Sequence, residues 1–394
     1  MKILMLCDFF NETLEYQENL LVKYYVKHGH DVVVIASTFE SVFDYYADRH
    51  DKTLPVRAYV NEGAKIIKLP YKFNILNKLR RYTDIAGILQ EEAPDLIFVH
   101  DIMLNFPEVI KYKKRNPNVV VIMDYHADYS NSGKNWLSLK ILHGVIRKWY
   151  LDRARKHLSK IFPIVPASAT FLNEVYGVEY SEMEILPLGA DTDRGRLLKE
   201  RSVGSALRKQ LGVPEDHFVI FSGGKLSPAK RTEILIQAFN NICSPKVSLV
   251  IVGEASEADA AYKAKLVSLA SESKNIHFTG WLNNDQVYSY LDMADLAVFP
   301  ASQSIIWQQA ISMGLPIIVG DSGHQDISYL NLKDNIVIFQ KDDITVEKFQ
   351  SAIVKLLDDP VLYERMCDGA KFVTDTQLNW DVLIEKTTRF NKVV

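Results

Sequence analysis

Short apolar runs alternate with helical patterns along the first half of the chain. A helical pattern from Leu20 to Lys27 follows the first run, and a longer one extends from about Leu137 to Ser159. The runs themselves are KILML, DVVVIAS, AKIIKLP, LIFVH and VVVIMDYH. Val- and Ile-rich runs joined by helices are typical of a parallel sheet with crossover helices. IFPIVPAS and MEILPLGAD are predicted as the last strands of this half, and the polar segment from Asp193 to Gly204 as the boundary.

The same pattern restarts in the second half of the chain. Its apolar runs are HFVIFSGGK, VSLVIVGE, NIHFTGW, DLAVFP, LPIIVGD and NIVIFQ. The predicted fold class is therefore α/β, with two facing Rossmann-like doubly wound domains over residues 1–195 and 196–375. The amphipathic tail, 376–394, is predicted to form a helix that packs back on the first domain. Ligands of such domains bind at the carboxyl ends of the strands, so the expected site is the cleft between the domains.

Length, charge and cysteine content narrow the class of protein. The 394 residues suit two domains, and a net charge of −3 argues against nucleic acid as a partner. Cys7, Cys243 and Cys367 lack metal-ligand spacing and are typical of reduced cytosolic thiols. Asp8 interrupts the first apolar run, which favours a buried strand over a signal peptide. No uninterrupted apolar stretch reaches the roughly 18 residues of a membrane-spanning helix, so we expect a cytoplasmic protein whose membrane contact, at the inner face, is peripheral.

The segment GGKLSPAKR directly follows a predicted strand and precedes the helical pattern EILIQAF. Gly223 and Gly224 allow the backbone to approach a ligand closely, and Lys225 and Lys230 supply positive charge. This combination suits a diphosphate. The alternative is an ordinary strand-to-helix turn with solvated lysines.

A second loop follows DLAVFP and leads into the helical pattern IIWQQAIS. A serine cap and the amides of the first helical turn could bind a phosphate, and a glutamine amide could bind ribose hydroxyls. The alternative is a capped helix with Trp307 in the core. The predicted ligand-binding residues of this loop are Ser302, Gln303, Ser304, Ile305 and Gln309.

His126 ends the predicted strand VVVIMDYH and is the candidate catalytic residue of the first domain. A histidine at a strand end can also be purely structural. Asp124 and Asp128 flank it and could orient the ring or act as a base.

The segment from Lys134 to Lys160 is basic and aromatic. It carries eight Lys or Arg residues against one acid, Asp152, with Trp136 and Trp149 among them. Such a helix could lie on an anionic membrane surface or receive a lipid diphosphate, whereas the alternative is a solvated helix face.

Taken in order, these segments resemble the retaining GT-B glycosyltransferases of the family-four type, and the resemblance covers nearly the whole chain. The matching segments are YVKHGHDVVVI, PDLIFVHD, the strand ending in His126, ILPLGAD, GGKLSPAKR, LVIVGE, IHFTGWLNNDQVYSYLDMADLAVFP and GLPIIVGDSGHQDI. The resemblance implies transfer of a sugar from a nucleoside diphosphate donor, with retention, to a saccharide or lipid-linked acceptor. Surface polysaccharide or glycoconjugate synthesis is the implied setting.

The resemblance also implies residue roles. Lys225 and Lys230 occupy the positions of the family's Arg and Lys, which contact the donor diphosphate, and His126 matches a histidine close to the reacting sugar. Gln309 occupies the position of the second carboxylate of the family's Glu-x7-Glu motif, which is absent here.

No metal or other cofactor is expected, because the lysines and loop amides would stabilise the leaving diphosphate. Asp191 and Asp193 have Asp-x-Asp spacing but fall in the interdomain segment. Two rival hypotheses are a nucleotide-sugar epimerase of similar fold and a non-catalytic donor-binding subunit.

Overall fold

The computed structural model describes residues 1–12, 16–39, 45, 55–242, 244–301, 304–323 and 326–391. The chain folds into two compact units. Unit 1 comprises Met1–Pro187 and Trp380–Val394, and unit 2 comprises Leu188–Asn379. The sequence pattern sets the boundaries after residues 195 and 375, whereas in the structure they fall earlier and later, respectively. The segment just after Pro187 bonds within unit 2, where the Asp191 amide donates to the Tyr288 hydroxyl at 2.8 Å.

Unit 1 contains a sheet of seven strands and a separate hairpin. Its described strands are β1 (Lys2–Leu6), β2 (Asp31–Ser37), β3 (Arg57–Asn61), β4 (Ala64–Leu69), β5 (Tyr71–Ile75), β6 (Leu79–Tyr82), β7 (Leu96–His100), β8 (Val120–Tyr125) and β9 (Lys160–Pro163). The sheet order is β3-β4-β2-β1-β7-β8-β9, and β3 alone of these runs antiparallel to its neighbour. Strands β5 and β6 form the hairpin. The strand order reverses between β1 and β7, which is where Rossmann-like sheets bind ligands.

Helices cover both faces of this sheet. The described helices are α1 (Gln17–Lys27), α2 (Ala86–Glu92), α3 (Phe106–Arg115), a π-helix (Ser138–Arg147), α4 (Lys148–Arg155), α5 (Pro166–Tyr176), a helix at Trp380–Thr388 and 3₁₀ turns at Tyr180–Glu182 and Arg389–Asn391. Because side chains alternate along a strand, Leu4 and Leu6 of β1 enter the core under α2 to α5, whereas Ile3 faces the opposite core under α1.

The helix Trp380–Thr388 packs on α1 and closes the second of these cores. Trp380 is fully buried beside Leu21 and Tyr24 of α1. The Tyr25 hydroxyl donates to Thr387 Oγ1 at 2.7 Å, and Asp381 pairs with Lys27 at 3.0 Å. Residues more than 350 positions apart therefore share one core.

Unit 2 is built on a single parallel sheet of six strands. Its described strands are β10 (Phe218–Gly223), β11 (Val247–Val252), β12 (Ile276–Gly280), β13 (Leu296–Phe299), β14 (Ile317–Asp321) and β15 (Ile336–Gln340). The order β12-β11-β10-β13-β14-β15 reverses between β10 and β13. This is the Rossmann order, and it places the expected ligand site at the carboxyl ends of those two strands. The prediction of two α/β units with mainly parallel sheets is confirmed.

Helices also cover both faces of the second sheet. They are α6 (Thr192–Glu200), α7 (Val203–Leu211), α8 (Thr232–Asn240), α9 (Ala260–Ala270), α10 (Asn284–Asp292), α11 (Ile306–Ser312), α12 (Val346–Asp358), α13 (Pro360–Val373) and a π-helix (Thr374–Leu378), so the C-terminal helix is α14 (Trp380–Thr388). Short 3₁₀ turns occur at Pro228–Lys230, Glu257–Asp259, Ser328–Leu330 and Lys341–Asp343. Val219 and Phe221 of β10 face one core and Ile220 faces the other.

One predicted strand is absent, and the structure refines the description of two other segments. MEILPLGAD forms no strand, because only two of its amides, those of Glu184 and Leu186, donate to β9 before Pro187 interrupts the pairing. The polar segment at the predicted boundary is helical, in α6 and α7. IFPIVPAS ends as a strand at Pro163, because α5 already begins at Pro166, where a proline suits the first helical turn.

Candidate functional site

The glycine-rich segment of unit 2 lines a pocket at the carboxyl ends of β10, β11 and β13. The pocket is lined by Ser222, Gly223, Gly224, Lys225, Leu226, Lys230, Thr232, Ile251, Phe299, Pro300 and Ala301. Gly224 has φ 126°, and Gly253, at the end of β11, has φ 135°. A Cβ at Gly253 would lie 1.9 Å from the Gly224 carbonyl oxygen. Only glycine allows the two strand ends to approach this closely, and Gly223 and Gly224 present backbone to the pocket.

Lys230 is the partly buried cation of this pocket. It ends the 3₁₀ turn Pro228–Lys230, and the left-handed residue Arg231, with φ 52°, follows it before α8 begins. Its Cε would lie 3.7 Å from a Cβ built on Gly224, and the Ser304 hydroxyl would lie 4.0 Å from the same point. Burial lowers the pKa of Lys230 to about 8. A bound anion would favour the charged form of this lysine.

Lys225 occupies a different environment from Lys230. Its side chain is 57% exposed, and its Nζ lies 3.2 Å from Asp259 Oδ2. A hydrogen bond from Ser256, together with the Lys225 charge, lowers the pKa of Asp259. Lys225 is therefore neutralised by a carboxylate that the sequence pattern did not indicate. The two predicted phosphate-binding lysines are close in sequence but differ in exposure.

The second predicted loop is described in part. Ser302 and Gln303 lie outside the described residues. The Ser304 hydroxyl accepts a bond from the Ile306 amide at 3.3 Å, and Ile305 is 43% exposed. Gln309 is buried, and its Nε2 donates to Asn284 Oδ1 at 2.6 Å, so part of its hydrogen-bonding capacity is used inside unit 2.

A neighbouring cavity continues from this loop toward residue 330. It is lined by Ser304, Trp307, Gln308, Asp326, Ile327, Tyr329 and Leu330. Trp307 is buried, as the alternative interpretation of this helix held, but its Nε1 and the Oε1 of Gln308 have no hydrogen-bond partner among the described residues. Neither Gln308 nor Asp326 was predicted from the sequence.

In unit 1, Asp124 is the centre of a buried charge cluster at the carboxyl ends of β7 and β8. Its Oδ2 lies 3.0 Å from His100 Nδ1 and 3.1 Å from His126 Nε2, and its Oδ1 accepts the Asp101 amide at 3.1 Å. On the far side, His100 Nε2 lies 3.1 Å from Glu18 Oε1. His100 and Asp124 are paired in register across the two strands, which is why their side chains meet.

The cluster holds opposite charges in a buried place. Burial disfavours a charged His100 ring, but Asp124 and Glu18 outweigh it and raise the pKa of His100 to about 10. Burial likewise disfavours a charged Asp124, but His100 and His126 lower the pKa of Asp124 well below its ordinary value. Asp124 is therefore an ionised acceptor, and both ring nitrogens that face it carry protons. That requirement fixes His126 with its proton on Nε2.

His100 and Glu18 are the side chains of this cluster that were not predicted from the sequence. The sequence does contain a pattern that indicates His100, because the two strand segments LIFVH and VVVIMDYH both end in histidine. Asp128, by contrast, is occupied by its own loop, because its Oδ1 accepts the Ser130 amide at 2.7 Å and the Asn131 amide at 3.2 Å. Of the two aspartates that flank His126, only Asp124 contacts the ring.

His100, Asp124 and His126 also form a donor set that suits a metal ion. One ligand atom from each lies within 4.8 Å of the others. Imidazole and carboxylate ligands are typical of divalent transition metals. Among the described residues, Cys7 and Cys367 are free thiols outside this group, and Cys243 lies beyond the described part of the chain.

The basic segment 134–160 exposes an apolar stripe. Trp136, Leu137, Ile141, Val145 and Trp149 are all exposed, and the last four recur every fourth residue, on one helical face. Four of the eight cations are used internally: Arg147 donates to the Lys78 carbonyl, Lys148 and Arg155 pair with acids, and Lys160 donates to the Ser181 carbonyl. Among the described residues, no helix has the length and apolar character needed to cross a bilayer.

The folds of the two units together define the class of protein. Each has a mainly parallel sheet in Rossmann order with basic or histidine side chains at its carboxyl edge, and this two-domain α/β architecture is the GT-B fold. Residues 19–194 match the model of Glycosyltransferase Family 4, and residues 205–372 match the model of Glycosyl transferases group 1. The chain belongs to the group 1, family-4 type of glycosyltransferases.

Curated relatives share between a fifth and a third of the aligned residues. A GDP-mannose-dependent monoacylated alpha-(1-6)-phosphatidylinositol monomannoside mannosyltransferase of Corynebacterium glutamicum is 28% identical over 218 residues, which are 52% of this chain and 55% of that protein. A lipopolysaccharide 1,2-N-acetylglucosaminetransferase of Salmonella typhimurium is 23% identical over 267 residues, which are 65% of this chain and 60% of that protein. The chain thus spans little more than half the length of these relatives.

Among solved structures, Anabaena Alr3699/HepE in complex with UDP has a similar fold. The TM-score is 0.67 at 17% identity, and the match covers 99% of each chain.

Proposed function

We propose that this protein transfers a sugar from a nucleoside diphosphate sugar to a saccharide or lipid-linked acceptor, in surface polysaccharide or glycoconjugate synthesis. The observation that carries the proposal is the unit 2 pocket, in which the backbone of Gly223 and Gly224 and the partly buried ammonium of Lys230 line the same space. An ammonium withdrawn from water gains most from an anion that can enter the pocket. Close backbone approach suits the diphosphate of a nucleotide.

The leaving diphosphate gains negative charge as the glycosidic bond breaks. In the proposed mechanism Lys230 stabilises this charge at the pocket floor, and Lys225 does so from its exposed rim after exchanging Asp259 for phosphate. Gly223 and Gly224 contribute backbone contact, and the loop from Ser302 to Ile305, with Gln309, is proposed to bind the remainder of the donor. The lysines supply the positive charge, so the proposed mechanism needs no metal ion, and activity should persist in excess EDTA.

The relatives support the choice of donor and acceptor. One of them is GDP-mannose-dependent and acts on a phosphatidylinositol mannoside, a second acts on lipopolysaccharide, and HepE is in complex with UDP. Nucleoside diphosphate donors and glycoconjugate acceptors are therefore proposed for this chain as well. Retention of configuration is proposed from the family resemblance.

His126 is proposed as the catalytic residue of unit 1 that contacts the sugar. Because its Nε2–H is directed to Asp124, its Nδ1 is the nitrogen proposed to contact a sugar hydroxyl. The pair fixes the ring orientation, as a carboxylate does for many catalytic histidines.

The segment 134–160 is proposed to lie on an anionic membrane surface, which gives a peripheral protein at the cytoplasmic face. The exposed apolar stripe supports this proposal, together with four cations that have no internal ion pair among the described residues: Lys134, Lys140, Arg153 and Lys156. Apolar side chains enter the interface while cations attract anionic headgroups.

Lys230→Ala is the primary test of the proposed function. A thermal-shift panel of nucleoside diphosphates and nucleotide sugars first identifies the donor, since a ligand at 100 times its dissociation constant adds about 2.7 kcal/mol. With that donor, loss of the Lys230 charge should lower kcat/KM by about 100-fold. Lys274→Ala is the matched control, because Lys274 is exposed at the amino end of β12, and it should leave kcat/KM unchanged.

Two results would contradict the proposal. The first is the absence of any stabilisation across the nucleotide panel. The second is conversion of labelled donor without an acceptor, which would indicate an epimerase. The anomeric configuration of the product, read by NMR, tests retention separately.

A further inference from the structure

A groove in unit 1 is left unused by the proposed reaction. It lies between α3 and α4 and has a volume of about 320 Å³. One part of its wall is apolar, with Phe106, Ile110 and Tyr150 among its residues, and the other part is cationic. The volume falls in the range of small-molecule sites, which are roughly 300–1,000 Å³.

The cationic part gathers four basic side chains. Lys114, Arg153, Lys156 and His157 line it, and no carboxylate of the described residues does. None of the four forms an ion pair with an acid in the described part of the chain. A helix dipole favours a cation at the helix C-terminus. It does not account for a cluster of four basic side chains, because their like charges repel one another.

His157 is the partly buried member of this basic cluster. Its Nε2 is buried and has no hydrogen-bond partner among the described residues. Burial and the charges of Lys114, Lys156 and Lys113 lower the pKa of His157. Lys113 itself is occupied, since its ammonium donates to the carbonyls of Pro117 and Val119 at 2.6 Å. A group with several acceptor oxygens and negative charge would satisfy the whole cluster.

The groove is separate from the charge cluster at Asp124. A crossover helix returns the chain from the carboxyl end of one strand to the amino end of the next. Lys114, near the end of α3, and His157, just after α4, therefore lie toward the amino edge of the sheet. Asp124 and His126 lie at the carboxyl edge.

The apolar wall indicates what kind of anion enters. The guanidinium of Arg153 lies 3.5 Å from the centre of the Trp149 ring, and Trp149 packs edge-on against Tyr150 at 4.9 Å. Trp149 ends the exposed apolar stripe, so the groove continues directly into that stripe. A ligand with a phosphate at the cations and an apolar part toward the stripe matches both surfaces.

We propose that the groove between α3 and α4 binds the phosphate of an anionic lipid headgroup. This site extends the proposed membrane contact and does not depend on sugar transfer. Its ligand is defined by chemistry: a phosphate that carries an apolar substituent, held by Lys114, Arg153, Lys156 and His157.

Dihexanoyl phosphatidic acid, kept below its micelle concentration, is the direct probe. Calorimetric titration into the full chain should show one site. The double variant Lys114→Gln with Lys156→Gln should weaken binding by about tenfold or more, because two charge-assisted contacts are lost. The control Lys111→Gln with Arg115→Gln removes the same charge from α3 outside the groove, and it should change binding by less than about twofold. Bound lipid should also raise the pH at which the His157 ring titrates by NMR.

Three results would overturn the proposal. Equal weakening by the control pair would indicate general electrostatics. Inorganic phosphate binding as tightly as the lipid would indicate a free-phosphate site. If neither the lipid nor inorganic phosphate binds, the groove is not a phosphate-binding site. Since neither probe needs a membrane or a sugar donor, these failures are distinct from failure of vesicle binding or of transfer activity.

Discussion

A single carboxylate, Asp124, organises the charge of the first unit. It is fully buried, yet two imidazole rings and a backbone amide donate to it. A buried charge of this kind is stable only while its partners remain, because an unpaired ion in the interior is costly. The stability that this cluster contributes should consequently fall at both low and high pH.

Asp124→Asn should destabilise the protein in a pH-dependent way. The pKa of His100 is raised from 6.5 to about 10, so its stabilisation is complete below pH 6.5 and is lost as the pH rises through about 10. The pKa of Asp124 is lowered from 3.8, so its own contribution is lost only as the pH falls below that value. We expect a loss of about 3 kcal/mol at pH 6 and a smaller loss at pH 10.5, measured by urea unfolding.

The control for this experiment is Asp342→Asn, an exposed aspartate of unit 2. It should change the free energy of unfolding by less than about 0.5 kcal/mol at either pH. An equal loss for Asp124→Asn at pH 6 and pH 10.5 would show that His100 does not depend on the carboxylate.

For single residues, the sequence predicts which side chains line a site better than it predicts their burial and their partners. GGKLSPAKR identifies Lys225 and Lys230 together, but no pattern shows that one is exposed and paired with Asp259 while the other is partly buried. His100 was missed for a related reason. Its partner is set by the register of β7 against β8, and register depends on the whole sheet.

At the scale of elements, the close approach of two strand ends shapes the pocket of unit 2. The ends of β10 and β11 touch through glycine backbone, and any side chain at Gly253 would enter the Gly224 carbonyl.

Gly253→Ala should therefore lower both stability and nucleotide affinity. We expect a loss of at least about 2 kcal/mol in unfolding free energy, from a forbidden φ and a backbone clash. Gly212→Ala is the matched control, because Gly212 also has positive φ, at 68°, but no atom lies within 4 Å of its added Cβ. It should cost about 1 kcal/mol and leave nucleotide affinity unchanged. Equal affinity losses in the two variants would contradict this account.

The apolar stripe of unit 1 makes a separate prediction at this scale. Val145→Ser should reduce co-sedimentation with phosphatidylglycerol vesicles by about threefold, because an apolar contact of the interface is replaced by a hydroxyl. Val361→Ser changes an equally apolar and more exposed residue, 78% against 62%, in unit 2. It should have no effect on vesicle binding. Identical binding by wild type and Val145→Ser would remove the stripe from the proposed membrane surface.

Elements with continuous apolar runs were predictable, and elements without them were not. β8 and β11 are buried along their whole length and follow directly from VVIMDY and VSLVIV. β3, β5 and β6 were missed because RAYVN, YKFNI and LRRY carry polar or charged residues on largely exposed or half-buried strands. The polar sequence of α6 and α7 predicts a boundary and not two helices, because each helix fully buries only one residue, a glycine.

At the scale of the whole molecule, unit 1 is discontinuous in sequence. Trp380, Leu383 and Ile384 complete a core whose other buried residues come from the first half of the chain. Trp380→Ala should cost about 3–5 kcal/mol in unit 1. Hydrogen exchange should show faster opening of α1, while the amides of β10 and β11 keep their protection. Comparable loss of protection in both units would contradict a core confined to unit 1.

The discontinuity of unit 1 also determines the order in which the two units can finish folding during synthesis. The core between the first sheet and α1 lacks the residues of α14 until residue 384 has been synthesised, which happens after all of unit 2. Unit 2 is complete earlier, and its two ends are joined, since the Ala190 amide donates to the Leu378 carbonyl at 3.0 Å. On the ribosome, the half of the chain that is made first therefore finishes folding last.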